Sequence, residues 1–327
     1  MIENNVSYES ISRAAKRLRN HIVKTPLLKS QYVDQKLKTN LFLKAENLQT
    51  IGAFKFRGAM NTILQLPASV SKVVAWSSGN HAQAVAAAAK ITGREATIVM
   101  PKDSPQTKLD GTAFWGATIV KYDRNTENRE EIGKAIAKKN NATIIPPFDD
   151  VNVIIGQGTA GIECIEQLEE INVIPDIVLC CCGGGGLIAG ISTAIRAKFE
   201  KTKIFSVEPE YFDDTKKSLE NNEIISNSMN HKSICDALLA EKPGNITFNI
   251  NKLNLTSGLS VTDNEALKAM NAAYKHFKIV LEPGGAVALA AAISGKIDIK
   301  NKNVLVIASG GNVDKNVFEN CLKTETI

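Results

Sequence analysis

Aromatic residues are scarce in this sequence, at 6%, and only two of them are tryptophan. Proteins that bind single strands of nucleic acid by stacking need such rings beside a basic groove. Here the lysines are scattered and the formal net charge is only +5, so no nucleic-acid partner is expected. Long apolar runs are missing too. None reaches the roughly 18 residues of a membrane helix, and no membrane partner is expected. The first residues, MIENNVSYES, do not show the charged, apolar and small-residue order of a signal peptide. The expected compartment is the cytoplasm. Six cysteines occur without any C-x-x-C spacing, and three of them, Cys180, Cys181 and Cys182, are adjacent. Neighbours in a strand face opposite ways, so these three cannot share a tetrahedral metal site. They read as small hydrophobes of a buried strand. Repeats and low-complexity segments are absent.

What is present is an ordinary globular balance, 44% hydrophobic and 22% charged. A chain of 327 residues is long for one compact core, so one large or two joined domains are expected. Short Val/Ile-rich runs such as TNLFLKAE, KVVAWSS, ATIVMP, ATIVKYD, ATIIPP, DIVLCCC, KIFSVEP and NVLVIASGG read as strands. Helical patterns lie between them, including HAQAVAAAAKITG, GTAGIECIEQLEEI and TDNEALKAMNAAYKHF. The last opens with Thr262 and has Glu265 three residues on, a capping box. Alternating strands and helices predict an α/β fold with parallel sheets in two groups, and IIPPFDD (144–150) as the crossover. Ligands of such sheets bind at the carboxyl ends of strands.

Four segments carry chemistry, and most of them lie at such ends. CGGGGLIAG (182–190) follows a strand and precedes a helix. Its glycine N–H groups and the helix amino end form a cradle for phosphate. No G-K-[ST] ending follows, which excludes a P-loop. Gly184, Gly186 and Ala189 do satisfy G-x-G-x-x-A, and Glu208 ends the next strand at the distance of a ribose-binding acid. A nicotinamide-dependent dehydrogenase is therefore a rival reading. SSGNHAQAVA (77–86) gathers Ser77, Ser78 and Asn80 at a helix start, a setting for a carboxylate. ASGGNVD (308–314) places a neutral hydroxyl, Ser309, before two glycines. In IGAFKFRGAMN (51–61), Lys55 stands between two phenylalanines. Apolar surroundings lower a lysine's pKa and free its amine as a nucleophile. Reactive lysine, phosphate cradle and polar ring partner are the needs of pyridoxal phosphate. A dehydrogenase leaves Lys55 and Ser309 without a role.

GAFKFRGAMN, SSGNHAQA, GQGT, CGGGGL, EPGGA and SGGNVD, in that order, resemble the fold type II pyridoxal-phosphate enzymes, whose type is the tryptophan synthase β subunit. The resemblance is nearest to the threonine/serine dehydratases, serine racemases and 3-hydroxyaspartate dehydratases. It implies two doubly wound parallel-sheet domains: residues 1–50 with 150–327 as a large cofactor-binding unit, and 51–149 as a small mobile one. It implies that Lys55 bears the cofactor and moves the α-proton, with Phe54 against the ring. Asn80 would bond the ring hydroxyl, Ser309 the pyridine nitrogen, and Gly183, Gly184, Gly185, Gly186 and Leu187 the phosphate. Ser77, Ser78, Gly79 and His81 would surround the substrate carboxylate. Ser78 matches a second acid/base of the racemases, and Arg129 a substrate-associated arginine. Glu208, Asp214 and the carbonyl of Phe212 would hold Mg²⁺ or Ca²⁺. Phe148 resembles the bacterial dehydratases, whereas Ala237 stands where the family usually has glycine. The expected activity is an L-threonine/L-serine dehydratase acting as a homodimer. Serine racemase and 3-hydroxyaspartate dehydratase are the alternatives.

Overall fold

The computed structural model describes residues 5–104, 106–228 and 230–325. The chain opens with α1 (Tyr8–Leu18), β1 (Leu27–Leu28), α2 (Gln31–Leu37) and β2 (Asn40–Ala45). It continues through α3 (Lys55–Leu64), β3 (Lys72–Trp76), α4 (Asn80–Ile91), β4 (Glu95–Pro101), α5 (Gln106–Phe114), β5 (Thr118–Tyr122), α6 (Arg129–Asn140) and β6 (Thr143–Ile144). Then come α7 (Val151–Glu170), β7 (Ile177–Cys181), α8 (Gly186–Lys198), β8 (Lys203–Pro209), α9 (Asp214–Asn221), α10 (Asn245–Asn254) and β9 (Ser257–Val261). The remainder is α11 (Asp263–Ala272), α12 (Pro283–Ile293), β10 (Asn303–Ala308) and α13 (Lys315–Leu322).

These strands form two sheets. One has the order β1-β2-β10-β7-β8-β9, the other β5-β4-β3-β6. All pairings are parallel except β1 with β2. The expected α/β architecture with parallel sheets is thus observed. Every residue of β7 is buried, Cys180 and Cys181 included, as is Cys182 just after it, because helices cover both faces of a parallel sheet. α12 is apolar on all sides and buried from Pro283 to Ala292; it packs on β7, β8, β10 and α11. Each sheet has its own apolar cluster.

Three local readings differ. β1 and β9 were not expected; β9 is an edge strand, half-buried, without a continuous apolar run. β6 is only two residues long, because Pro146 and Pro147 follow and cannot donate to a ladder. The helix expected over 262–277 starts at its capping box as read, with Thr262 and Glu265 bonding reciprocally. Its last turn, Ala273–Phe277, widens into a π-helix.

Chain order breaks at three pairings. β10 lies beside both β2 and β7, and β3 lies beside β6. Such breaks open crevices outside the carboxyl ends of the strands. Gly183 and Ser309 follow β7 and β10; Ser77 and Ile145 follow β3 and β6.

Candidate active site

Lys55 is the first residue of α3, on the segment of chain that runs from β2 of one sheet to β3 of the other. The Phe54 N–H donates to the Ser309 carbonyl at 3.0 Å, and Ala53 bridges to Gly310. The end of β10 is therefore stapled to the turn that presents Lys55. The Lys55 ammonium donates to the Pro147 carbonyl at 2.6 Å and lies 5.3 Å from the centre of the Phe54 ring. No carboxylate pairs with it among the described residues. Burial pushes its amine down to about 8. Two lysines among the described residues are fully buried, and both have acids: Lys44 reaches Glu163 at 2.7 Å, and Lys108 reaches Asp236 at 2.6 Å. Lys55, half-buried and without an acid, is the amine left poised for deprotonation.

The glycine loop explains its own composition. Gly185 has φ +92°, a conformation that favours glycine. A side chain on Gly184 would run into the Phe148 ring, and one on Gly186 would meet the Phe148 carbonyl at 3.0 Å. The Gly184 carbonyl accepts from the Thr247 hydroxyl at 2.7 Å, and the Gly185 carbonyl accepts from Asn251 at 3.4 Å. Both carbonyls thus face α10. In a trans peptide the N–H points opposite its carbonyl, so the N–H groups of Gly185 and Gly186 face the other way. They join the unsatisfied first N–H groups of α8, including that of Leu187, with the positive end of the helix dipole behind them. N–H groups gathered in this way can hold a phosphate.

At the end of β3, the Gly79 N–H bonds to the Ser77 hydroxyl at 3.1 Å and turns the chain into α4. Asn80 and His81 are its first two residues, so their N–H groups have no partner inside the helix. The Ser78 hydroxyl has no hydrogen bond among the described residues and is half-buried. His81 bonds the Ile145 carbonyl through Nε2 at 2.9 Å. Burial, then the nearby Lys55, hold His81 down to about 3, so its imidazole is neutral. Asn80 donates to Glu282 and accepts from Asn312 at 2.8 Å; one of its two amide hydrogens stays unused. Ser309, 4% exposed, lies against the Cys181 thiol.

Arg129 is not gathered with these residues; it is exposed on the first turn of α6. Glu208 and Asp214 are neighbours at the end of β8. Glu208 accepts from the Thr215 and Lys216 N–H groups, both at 2.8 Å. It is fully buried beneath the start of α9, where a bulky ribose does not fit, and the dehydrogenase reading loses its acid. Asp214 accepts from Asn227 at 2.6 Å through one oxygen, and its other oxygen is buried without a partner. Burial and the adjacent Asp214 push Glu208 well up; burial pushes Asp214 up to about 7. Phe212 is buried between them in sequence. Among the described residues no three His, Cys, Asp or Glu side chains group as metal ligands.

Lys108, Asp236, Thr247 and Asn251 carry no signal in the sequence, and Glu282 and Asn312 lie inside EPGGA and SGGNVD without a role that those motifs reveal. Ala237 lies beside the cradle, its carbonyl 3.6 Å from the position of a side chain on Gly183. Lone charged residues without a motif leave no pattern to read.

Residues 18–310 match the family described as pyridoxal-phosphate dependent enzyme. The chain is 39% identical over 310 residues to L-threo-3-hydroxyaspartate ammonia-lyase of Saccharomyces cerevisiae, covering 94% of each. It is equally similar, 39% over 310 residues and 94% of each, to serine racemase of Schizosaccharomyces pombe. Its structure superposes on a threonine deaminase of T.th. with a TM-score of 0.89 and 38% identity, covering 94% of this chain and 99% of that one.

Proposed function

This chain belongs to the pyridoxal-phosphate-dependent enzyme family, and from that premise we propose that it is an L-threonine/L-serine ammonia-lyase, giving 2-oxobutanoate or pyruvate plus ammonia. The observation that carries the reading is Lys55: a half-buried amine without an acid, in the crevice that the glycine cradle and Ser309 also line. The cradle, the spare amide hydrogen of Asn80 and the neutral hydroxyl of Ser309 fit the cofactor's phosphate, ring hydroxyl and pyridine nitrogen. When bound, pyridoxal phosphate supplies an electron sink that weakens the bonds at the substrate's Cα.

This chain's residues do the rest. The N–H groups around Ser77, Ser78, Gly79 and His81 hold the substrate carboxylate. Lys55 takes the α-proton, because its depressed pKa leaves a useful fraction as free amine near neutrality. Phe54 backs the ring. Ser309, unlike an aspartate, does not hold a proton on the pyridine nitrogen, which favours prompt loss of the β-hydroxyl. The expected protein is yellow, and Lys55→Ala abolishes both the colour and the release of 2-oxo acid and ammonia. The deciding assay offers L-Thr, L-Ser, D-Ser and the 3-hydroxyaspartates, with chiral analysis of the remaining substrate.

One observation favours a second reading. The unpartnered Ser78 hydroxyl is free to act as a second acid/base, as a serine racemase requires; the named relatives also include a 3-hydroxyaspartate ammonia-lyase. Ser78→Ala separates the two, abolishing racemisation while elimination persists. Arg129 is assigned to substrate association only on domain closure, from its place on the small unit. The two sheets support the division into 1–50 with 150–327, and 51–149. The unpartnered oxygen of Asp214, with Glu208 and the Phe212 carbonyl, fits Mg²⁺ or Ca²⁺. We take the protein to be a cytoplasmic homodimer. Among the described residues no helix is long and apolar enough to cross a membrane.

A further inference from the structure

Lys108 is a buried cation on α5, 2% exposed, and both of its acids lie across the cleft. It reaches Asp236 at 2.6 Å and Glu282 at 3.3 Å. Asp236 opens the short turn Asp236–Leu238, whose next residues pack on Gly183 of the cradle. Glu282 immediately precedes α12 and is 1% exposed. Its second oxygen accepts from the Asn80 amide. Asn80 in turn accepts from Asn312, whose amide also donates to the Ile51 carbonyl at 2.8 Å. Another bond crosses nearby, from the Thr107 hydroxyl to Asp314. One polar chain therefore runs from the Lys55 turn, through Asn80, to the segment beside the cradle. Lys108 is its only cation among the described residues.

That single charge sets the direction of the whole chain. An ionised Glu282 can only accept, so Asn80 must offer it an N–H and turn its oxygen to Asn312. The amide's second hydrogen is then fixed in direction. A buried carboxylate without a cation takes up a proton instead. Protonated Glu282 could donate, and the Asn80 amide would no longer be held one way round. Lys108 also lies under the Ser77–Gly79 loop; a side chain on Gly79 would meet its ammonium at 3.4 Å.

Resting on the cofactor reading above, we propose that Lys108 is a positioning residue for the reaction. It ties the two α/β units across the cleft and, by neutralising Glu282, fixes the Asn80 amide so that its remaining N–H is presented to the cofactor's ring hydroxyl.

The test compares Lys108→Met, Lys108→Arg and a control in an exposed ion pair, Lys24→Met. Hydrogen exchange of the apo-protein reads the tie without any cofactor. Lys108→Met should speed exchange over 106–114 and 235–239, while Lys24→Met leaves it unchanged. Titration with pyridoxal phosphate should show affinity reduced about tenfold or more, the loss expected of a charge-assisted contact, together with a displaced visible band. The turnover number should fall more than KM rises, and Lys108→Arg should restore part of each effect. Wild-type exchange, affinity and band in Lys108→Met would overturn the proposal. If Lys108→Met does not fold, the double variant Lys108→Met/Glu282→Gln removes the uncompensated charge and should fold. Wild-type affinity and band in that variant would count against the proposal in the same way. A wild-type protein that binds no pyridoxal phosphate defeats the cofactor reading instead; the exchange result still judges the tie.

Discussion

Lys108 is buried and Lys55 half-buried, and their partners separate their roles. Lys108 keeps its charge because two acids face it; Lys55 is pushed down to about 8 because none does. The consequence for stability has a definite sign. Between about pH 8 and the ordinary lysine value, the unfolded chain binds a proton that the folded chain has shed. Stability of the apo-protein therefore rises with pH across that window as far as Lys55 is concerned. Below about pH 8 both states are protonated and the cost of burying the ammonium is present in full. Apo Lys55→Met should accordingly unfold at higher urea than wild type at about pH 7, and the gap should narrow toward about pH 10. A gap independent of pH would show that the amine is not held in apolar surroundings. The lysine between two phenylalanines was legible as odd from sequence. That Lys44 and Lys108 are paired was not, because Glu163, Asp236 and Glu282 lie more than a hundred residues away along the chain.

At the scale of elements, α3 owes its placement to Arg57, two residues after Lys55. Arg57 is fully buried and bonds Glu46 twice at 2.7 Å and Glu163 at 2.7 and 2.8 Å. With Lys44 the cluster holds two cations and two carboxylates, so it is neutral. Removing one member strands a buried charge. Arg57→Ala should cost about 3–5 kcal/mol, read from urea unfolding, and weaken cofactor capture because the amino end of α3 loosens. The junction of β8 and α9 makes a second prediction. If Glu208, Asp214 and the Phe212 carbonyl hold a cation, Ca²⁺ or Mg²⁺ should raise the melting temperature and a chelator should lower it. Asp214→Asn should abolish that response. The capping box of α11 was readable because it is local; the π-turn that follows it was not, since no residue type marks it.

At the scale of the molecule, exposed aromatic and apolar side chains occur around residues 274–280. Tyr32 stacks on His276 with ring centres 4.3 Å apart, and Tyr274 meets Phe318 edge-on at 5.6 Å. Leu48 and Val280 are joined through the bond from Asn47 to the Val280 carbonyl. Such a patch supports the proposed homodimer. Tyr274→Glu should convert the dimer to monomer, measured by light scattering on a sizing column. A wild-type protein that already elutes as a monomer would refute the assembly.

The sequence by itself determined the α/β class, the strands that end in glycine and serine, the lysine set between two phenylalanines and the family motifs. Those signals are local, written in periodicity and in residues that sit side by side. Only the tertiary structure decided which strands became neighbours, and hence that Lys55, Ser309, Asn80 and the glycine loop share one crevice. It also decided which charges are compensated. Glu208 reads as a ribose acid when seen alone, yet the fold engages both its oxygens with the start of α9. Arg129 reads as a substrate residue, yet it stands exposed. The physical reason is the same throughout: burial and pairing depend on groups distant along the chain, and these fix whether a titratable side chain is a structural ion or a reactive one.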